Sequence, residues 1–174
     1  MQTISVRHAR ITEAEAILIL VKESMASYCV DSHIDKTQIE ATFETKETIE
    51  AAISDGVVFV AVNEKEDIIG TARLYITYAK SFVDSETAEK LGMTARVGYF
   101  ARFSVWDSMR GKGIGQDLLL YSEDIARRAH CSHVLLHTAI ANERMVSFYQ
   151  TRGYDILLRE KSRGYERGLF GKKI

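Results

Sequence analysis

Three glycines stand within five residues in Arg110-Gly111-Lys112-Gly113-Ile114-Gly115, between an apolar strand-like run, Val97 to Trp106, and a helix-like run, Gln116 to His130. Glycine lets the backbone come close to a ligand, and at a helix start the N–H groups point outward without intrahelical acceptors. The positive end of that helix, with Arg110 and Lys112 beside it, suits an anionic group such as a phosphate. The same glycines equally suit a plain tight connection from strand to helix. On these six residues alone both readings stand.

The surroundings remove two competitors. A nucleoside-triphosphate loop needs four residues between its first glycine and a Gly-Lys-Ser/Thr, and no segment has that spacing. A dinucleotide fingerprint asks for glycine where Gln116 stands and an acidic residue at the end of the next strand. That next run, His133 to Thr138, leads into Thr-Ala-Ile instead.

What remains is Arg-x-x-Gly-x-Gly after a strand, followed downstream by Asn142-x5-Phe148-Tyr149-x3-Gly153-Tyr154. With these two motifs in this order, the chain resembles the GNAT superfamily of acetyl-CoA-dependent N-acetyltransferases. The resemblance implies a single domain over residues 1–174, α/β in class (α+β mixed), with a central mixed, mostly antiparallel sheet flanked by helices on both faces. It implies acetyl-CoA as cosubstrate, no metal, and transfer of the acetyl group to a primary amine: a small molecule, an amino acid, or a protein N-terminus or lysine. Cofactor contacts carry over to Phe103, Ser104 and Val105 at the strand end, to Arg110, Gly111, Lys112, Gly113, Ile114 and Gly115 in the loop, and to Asn142. Ile114 is expected to pack inward by its side chain. Tyr149 matches the family's general acid, while its position on an amphipathic helix also fits a core or rim aromatic. Asn142 fits a helix N-cap equally well.

Amine attack on a thioester poses two proton problems. A lysine-like amine has a pKa of about 10.4, so reaching its neutral form at pH 7 costs about 4.6 kcal/mol. The leaving thiolate gains from a proton donor, and a tyrosine is protonated at this pH. Some relatives use a glutamate on the strand before the loop, but Val97 to Ser104 holds no carboxylate. Water held by backbone carbonyls, Tyr99 or Ser104 is the alternative base. On the acceptor side stand Tyr28, Tyr99 and Arg102. Arg102 either recognises a substrate carboxylate or lies on the solvent side, and Asp31, His33 and Asp35 either join the amine pocket or are ordinary surface residues.

Composition narrows the partners. With 174 residues, 46% of them hydrophobic, the chain can build one sizeable core. Its net charge of -1 gives no general grip on nucleic acid or an anionic membrane. No basic-then-apolar leader is seen at the start, and the apolar run Ala16 to Val21 falls far short of a membrane span, so a cytoplasmic protein is expected. A homodimer is the assembly considered. Cys29 and Cys131 make no disulfide framework and are expected to stay reduced. His133 and His137 are four apart on a strand, about 13 Å at ~3.3 Å per residue, which is poor geometry for one metal. Two further readings stay open: a non-catalytic acyl-CoA-binding sensor, and a transferase of longer acyl chains.

The elements that must position these residues read as alternating strands and helices. A strand is expected at Ile4 to His8, then a helix capped by Thr12-x-x-Glu15 and running to about Tyr28. A second helix is predicted from about Thr37 to Ser54, with Ile39, Phe43, Ile49 and Ile53 as its apolar stripe. Val57 to Val62 and Ile68 to Tyr78 read as a hairpin about Asn63 to Asp67. After the loop come a helix, a strand from His133, a helix from Asn142 to Arg152, a strand from Tyr154 to Arg159, and a short strand within Tyr165 to Phe170. The connection from Ala79 to Arg96 spans eighteen residues, with a short helix predicted after Asp84. Length alone favours a lid over the substrate mouth, with surface decoration as the other reading. The chain contains no proline, which has no functional account.

Overall fold

The computed structural model describes residues 3–174. Seven strands form one mixed, mostly antiparallel sheet with helices, in the order β1-β2-β3-β4-β5-β7-β6. They are β1 (Ser5–His8), β2 (Val58–Val62), β3 (Ile68–Tyr78), β4 (Arg96–Val105), β5 (His133–Ala139), β6 (Asp155–Glu160) and β7 (Arg167–Lys173). The helices are α1 (Ala14–Ser32), α2 (Lys46–Ser54), α3 (Ser85–Lys90), α4 (Ile114–Arg128) and α5 (Glu143–Gln150). The chain divides into two compact units: Met1–Val30, Ile34–Arg73 and Arg102–Ser122 in the first, Asp31–His33, Leu74–Ala101 and Glu123–Ile174 in the second.

In the first unit, β2 pairs antiparallel with β1 and with β3, and all five of its residues are buried, as its unbroken apolar run requires. On α1 the buried Ala14, Ile17, Leu20, Val21, Met25 and Cys29 recur at helical spacing. The helix starts differently from the sequence expectation. A tight turn at Ile11–Glu13 precedes it, and the Glu13 carboxylate, rather than Thr12 with Glu15, accepts from the Arg10 N–H at 2.7 Å. Arg7 holds the same carboxylate at 2.7 Å, a charged partner that Thr12 could not offer. The helix then runs to Ser32, past Tyr28.

The helix expected over Thr37 to Ser54 is broken. Two short tight turns, Lys36–Gln38 and Glu40–Phe43, precede a nine-residue α2. Short polar side chains take the backbone bonds a continuous helix would need. Asp35 accepts from the Thr37 N–H at 2.8 Å, and the Thr42 hydroxyl donates to the Ile39 carbonyl at 2.7 Å. Thr45 and Thr48 then cap α2 reciprocally, at 3.3 and 3.0 Å. The predicted stripe fails accordingly at Phe43, which is 64% exposed.

In the second unit, β5 and β6 both pair antiparallel with β7. A parallel pairing joins β4 to β5 at Gly98↔Val134 and Tyr99↔Leu135. The connection after Tyr78 forms a tight turn at Ala79–Ser81 and then α3, capped by Asp84. Ala79 and Val83 are buried with Val97, Leu135 and Leu169, and Phe82, Ala88 and Met93 pack against that cluster. Ala79, Phe82, Val83, Ala88 and Met93 of the connection thus rest on the unit's core.

One close approach fixes the start of α4. A Cβ added at Gly70 on β3 would come within 2.9 Å of Ile114 Cγ2 and 3.0 Å of Leu118 Cδ1. Gly70→Val should therefore destabilise the protein by about 1–3 kcal/mol through overpacking. Urea unfolding would read this as a lowered midpoint, and an unchanged midpoint would show that α4 does not rest on this strand.

Candidate active site

The glycine loop is set by three ties within the first unit. Trp106 follows β4 and donates its indole N–H to the Ile68 carbonyl at 2.9 Å. A tight turn at Asp107–Met109 follows. Arg110 then anchors the chain, pairing with Asp107 at 2.6 Å and donating to the Ser27 hydroxyl of α1 at 3.1 Å. Its guanidinium is thus engaged by protein groups, a role beyond the free positive charge that spacing suggests. Lys112 stands exposed, with its ammonium 3.4 Å from Met109 Sδ.

Gly111 and Gly113 adopt φ of +77° and +86°, the left-handed region where a side chain is strained. A Cβ at either position would meet no atom within 4 Å, so the loop backbone borders open space. The side chain of Ile114, 1% exposed, is buried as expected, which directs the first turn of α4 by packing. In such a turn the leading N–H groups lack intrahelical acceptors, so the loop fits an anion held by backbone donors.

Just before the loop, β4 carries an irregularity that sequence reading missed. Arg102 has φ of +54°, uncommon for a residue with a Cβ. Its side chain is held by Glu44: Arg102 Nε lies 2.7 Å from Oε1, while Arg73 Nη2 and the Thr48 hydroxyl reach Oε2 at 3.0 and 2.6 Å. Glu44 and Arg73 are buried, their side chains only 5 and 6% exposed. Burial works to raise the Glu44 carboxyl, yet bonds from Arg102 and Thr48 and the charge of Arg73 outweigh it and hold it below the usual glutamate range. Arg102 is therefore paired, not left on the solvent side. Beyond it, Ser104 is buried and its Oγ has no hydrogen-bond partner among the described residues. An orphaned hydroxyl at this place fits a segment that meets a polar ligand.

The second unit holds the other named residues. Asn142 caps α5, its Oδ1 accepting from the Met145 N–H at 3.1 Å, and its Nδ2 donates to Ser32 at 2.9 Å. Both ends of its amide thus serve the fold. Tyr149 lies buried in an aromatic group, its ring centroid 5.2 Å from Phe148, 5.9 Å from Tyr154 and 6.0 Å from Phe170. Beneath it, the Tyr154 hydroxyl donates to the buried Glu123 at 3.1 Å, and burial followed by the charge of Glu123 pushes that phenol well above its usual range. An open cavity of about 460 Å³ is lined by Asp31, His33, Ala141, Asn142, Glu143 and Arg144, with Arg144 paired to Asp31 at 2.7 Å. Asp31 and His33 thus come beside the Asn142 cap. Asp35 instead caps its own turn in the first unit. Tyr28 lies on α1 next to Ser27, the loop's anchor, and Tyr99 is partly exposed on β4.

Among the described residues no helix is long and apolar enough to cross a membrane, and no group of three or more His, Cys, Asp or Glu is placed to hold a metal.

A strand end, a glycine loop and a helix start thus follow one another in the first unit. The acetyltransferase (GNAT) family model matches residues 22–154, and the chain belongs to that family. In sequence it is 34% identical over 114 residues to the Bacillus subtilis (strain 168) protein YdhI, covering 62% of this chain and 59% of that one. In structure it is similar to a GNAT-family acetyltransferase from Streptococcus agalactiae 2603, with TM-score 0.75, 19% identity, and coverage of 98% of this chain and 95% of that one. It is also similar to the PaiA N-acetyltransferase from Thermoplasma acidophilum in complex with coenzyme A, with TM-score 0.74, 19% identity and 99% of each chain covered. At these identities the two structures show the shared fold. The resemblance and the fold class expected from the sequence hold, and acyl transfer with use of an acyl-CoA follows as the general activity of the family.

The depressed Glu44 carboxyl gives a signed prediction. A group lowered on folding stabilises the protein above its unfolded pKa, about 4.3, and that contribution is lost as pH falls through the folded value. Glu44→Gln should lose at least about 1.5–3 kcal/mol at pH 7, the worth of one charged hydrogen bond. The gap to the wild type should narrow as pH falls below about 4. Urea unfolding at the two pH values checks this, and a gap independent of pH would remove the ionised carboxylate from the argument.

Proposed function

We propose that the protein transfers the acetyl group of acetyl-CoA to a primary amine. The amine nitrogen attacks the thioester carbonyl and loses a proton, the carbon–sulfur bond breaks, and the leaving sulfur takes up a proton. The observation that carries this reading is the loop, whose two left-handed glycines border open space at the start of α4. Backbone donors of Gly111 to Gly115 take the diphosphate, with Lys112 adding charge. Phe103 to Val105 take the pantetheine arm through their backbone. The strand is needed, because charged hydrogen bonds give about 1.5–3 kcal/mol each while association costs roughly 4–15. Tyr149 serves as proton donor to the leaving thiolate, Asn142 orders the chain before it, and Tyr28, Tyr99 and Arg102 serve the acceptor side. The acceptor is a small-molecule or peptide amine, in the cytoplasm, without nucleic acid or membrane, and the chain is taken to work as such or as a homodimer.

Substitution at Gly113 tests the loop. Asparagine and aspartate both tolerate a left-handed backbone better than other residues, and only aspartate adds negative charge. Gly113→Asp should weaken acetyl-CoA binding far more than Gly113→Asn in isothermal titration. Equal affinities for wild type and both folded variants would show that the diphosphate does not lie on this backbone.

Tyr149→Phe removes one hydroxyl and keeps the ring packing. Turnover of the best amine found in a thiol-release screen should fall by roughly 10²- to 10⁴-fold, while acetyl-CoA affinity changes little. An unchanged kcat from about pH 6 to 9.5 would take Tyr149 out of the mechanism. A wild type that binds acetyl-CoA and acetylates no amine would instead leave a non-catalytic acyl-CoA sensor.

A further inference from the structure

The second unit contains a polar chain to which none of the roles above extends beyond its first member. Tyr99 Oη lies 2.9 Å from His137 Nδ1, and His137 Nε2 lies 3.6 Å from Glu160 Oε1. Arg167 hydrogen-bonds that same carboxylate oxygen. Tyr99 pairs across to Leu135, so His137, two residues further along β5, lies on the same strand face as that partner. Phe82, from the long connection, stacks on Tyr99 with centroids 4.8 Å apart and planes within 20°. Tyr99 and Phe82 are both partly exposed, so the group borders solvent.

Electrostatics select the proton positions. With the imidazole proton on Nδ1, the ring would turn the lone pair of Nε2 toward the Glu160 carboxylate. With the proton on Nε2, an N–H faces that carboxylate and Nδ1 is left to accept from the Tyr99 hydroxyl. The Glu160 end favours the second tautomer, and the Tyr99 hydroxyl, which can donate as well as accept, fits it. Burial, then the charge of Arg167, lowers His137 to about 4 against the opposing pull of Glu160, and Arg163 adds to the lowering. The ring is therefore neutral from about pH 5 upward, and its Nδ1 is a standing acceptor. A hydroxyl whose hydrogen is committed in this way can meet a further group only as an acceptor. It attracts an N–H donor and repels a carboxylate.

We propose that His137 is a positioning residue that fixes the Tyr99 hydroxyl as a hydrogen-bond acceptor for the N–H of the acceptor amine, with Glu160 setting the imidazole tautomer and Phe82 the ring plane of Tyr99. This rests on the acetyl-transfer reading above and gives the acceptor side a sign: a donor group at Tyr99, with any anionic group of the acceptor elsewhere. It also gives the Ala79 to Arg96 connection a part in acceptor choice, through Phe82.

The test joins spectroscopy to kinetics. In histidine-labelled protein, the nitrogen signals lost in His137→Asn identify the ring. They should show a protonated Nε2 and an unprotonated Nδ1 that persist down to about pH 5. Tyr99→Phe and His137→Leu should each raise KM for the amine about three- to tenfold, the scale of one hydrogen bond, with the acetyl-CoA dissociation constant unchanged. The double variant should be no worse than the worse single one. His137→Asn, which keeps an acceptor near the Nδ1 position, should recover most of the loss, and the ratio of variant to wild-type KM should stay flat from about pH 6 to 8.5. An Nδ1–H tautomer, unchanged KM values, or effects that multiply in the double variant would each overturn the proposal. A fall in thermal midpoint and acetyl-CoA affinity with KM unaltered would do so too, by marking the cluster as structural. A wild type that releases no thiol with any amine would count against acetyl transfer itself, whereas the tautomer is read without turnover.

Discussion

A carboxylate buried between two guanidinium groups governs how β4 leaves regular geometry. Glu44 meets Arg102 at 2.7 Å and Arg73 at 3.0 Å, and Arg102 holds a left-handed backbone at the residue before Phe103. A left-handed residue with a Cβ costs about 1–2 kcal/mol. Removing one member of a buried ion pair costs roughly 3–5 kcal/mol. The pairing is thus large enough to hold the strained residue in place, and strain of this kind gathers where a backbone must present its polar groups to something other than a neighbouring strand. The orphaned Ser104 hydroxyl, two residues on, agrees with that reading.

The loop beyond it depends on packing more than on charge. Gly70 admits Ile114 and Leu118, Trp106 is fixed by its indole N–H, and Arg110 is tied to Asp107 and Ser27. Arg110, which spacing suggests as a phosphate ligand, is thereby also tied into the loop itself. Backbone N–H groups held in this way are oriented before any ligand arrives, so an anion bound there would meet little ordering cost.

The sequence carried the glycine loop, the Asn142 cap and the strand β2 because each is a local pattern of residue type and spacing. Glu44 was hidden for the opposite reason. Its partners lie 29 and 58 positions away, and nothing near it marks an inward-turned acid. Continuing the helical stripe through Phe43 placed it on a helix that the Asp35, Thr42 and Thr45 side chains interrupt. The start of α1 misled in the same way: Thr12 and Glu15 have the capping spacing, but Arg7 gives Glu13 a stronger claim. The spacing of His137 from His133 suits a metal poorly and says nothing of Tyr99, 38 positions away, whose contact appears only once the strands are paired.

The burial of both cysteines has a consequence for redox chemistry. A protein that uses an acyl-CoA works beside a free thiol, coenzyme A itself, and beside the disulfides which that thiol forms on oxidation. Thiol–disulfide exchange needs a reachable thiolate. Cys29 and Cys131 are only 7 and 6% exposed, and burial pushes both thiols up, away from the reactive form. The chain is therefore poorly suited to capture coenzyme A as a mixed disulfide, and a thiol reagent added to the native protein reports the coenzyme rather than the polypeptide.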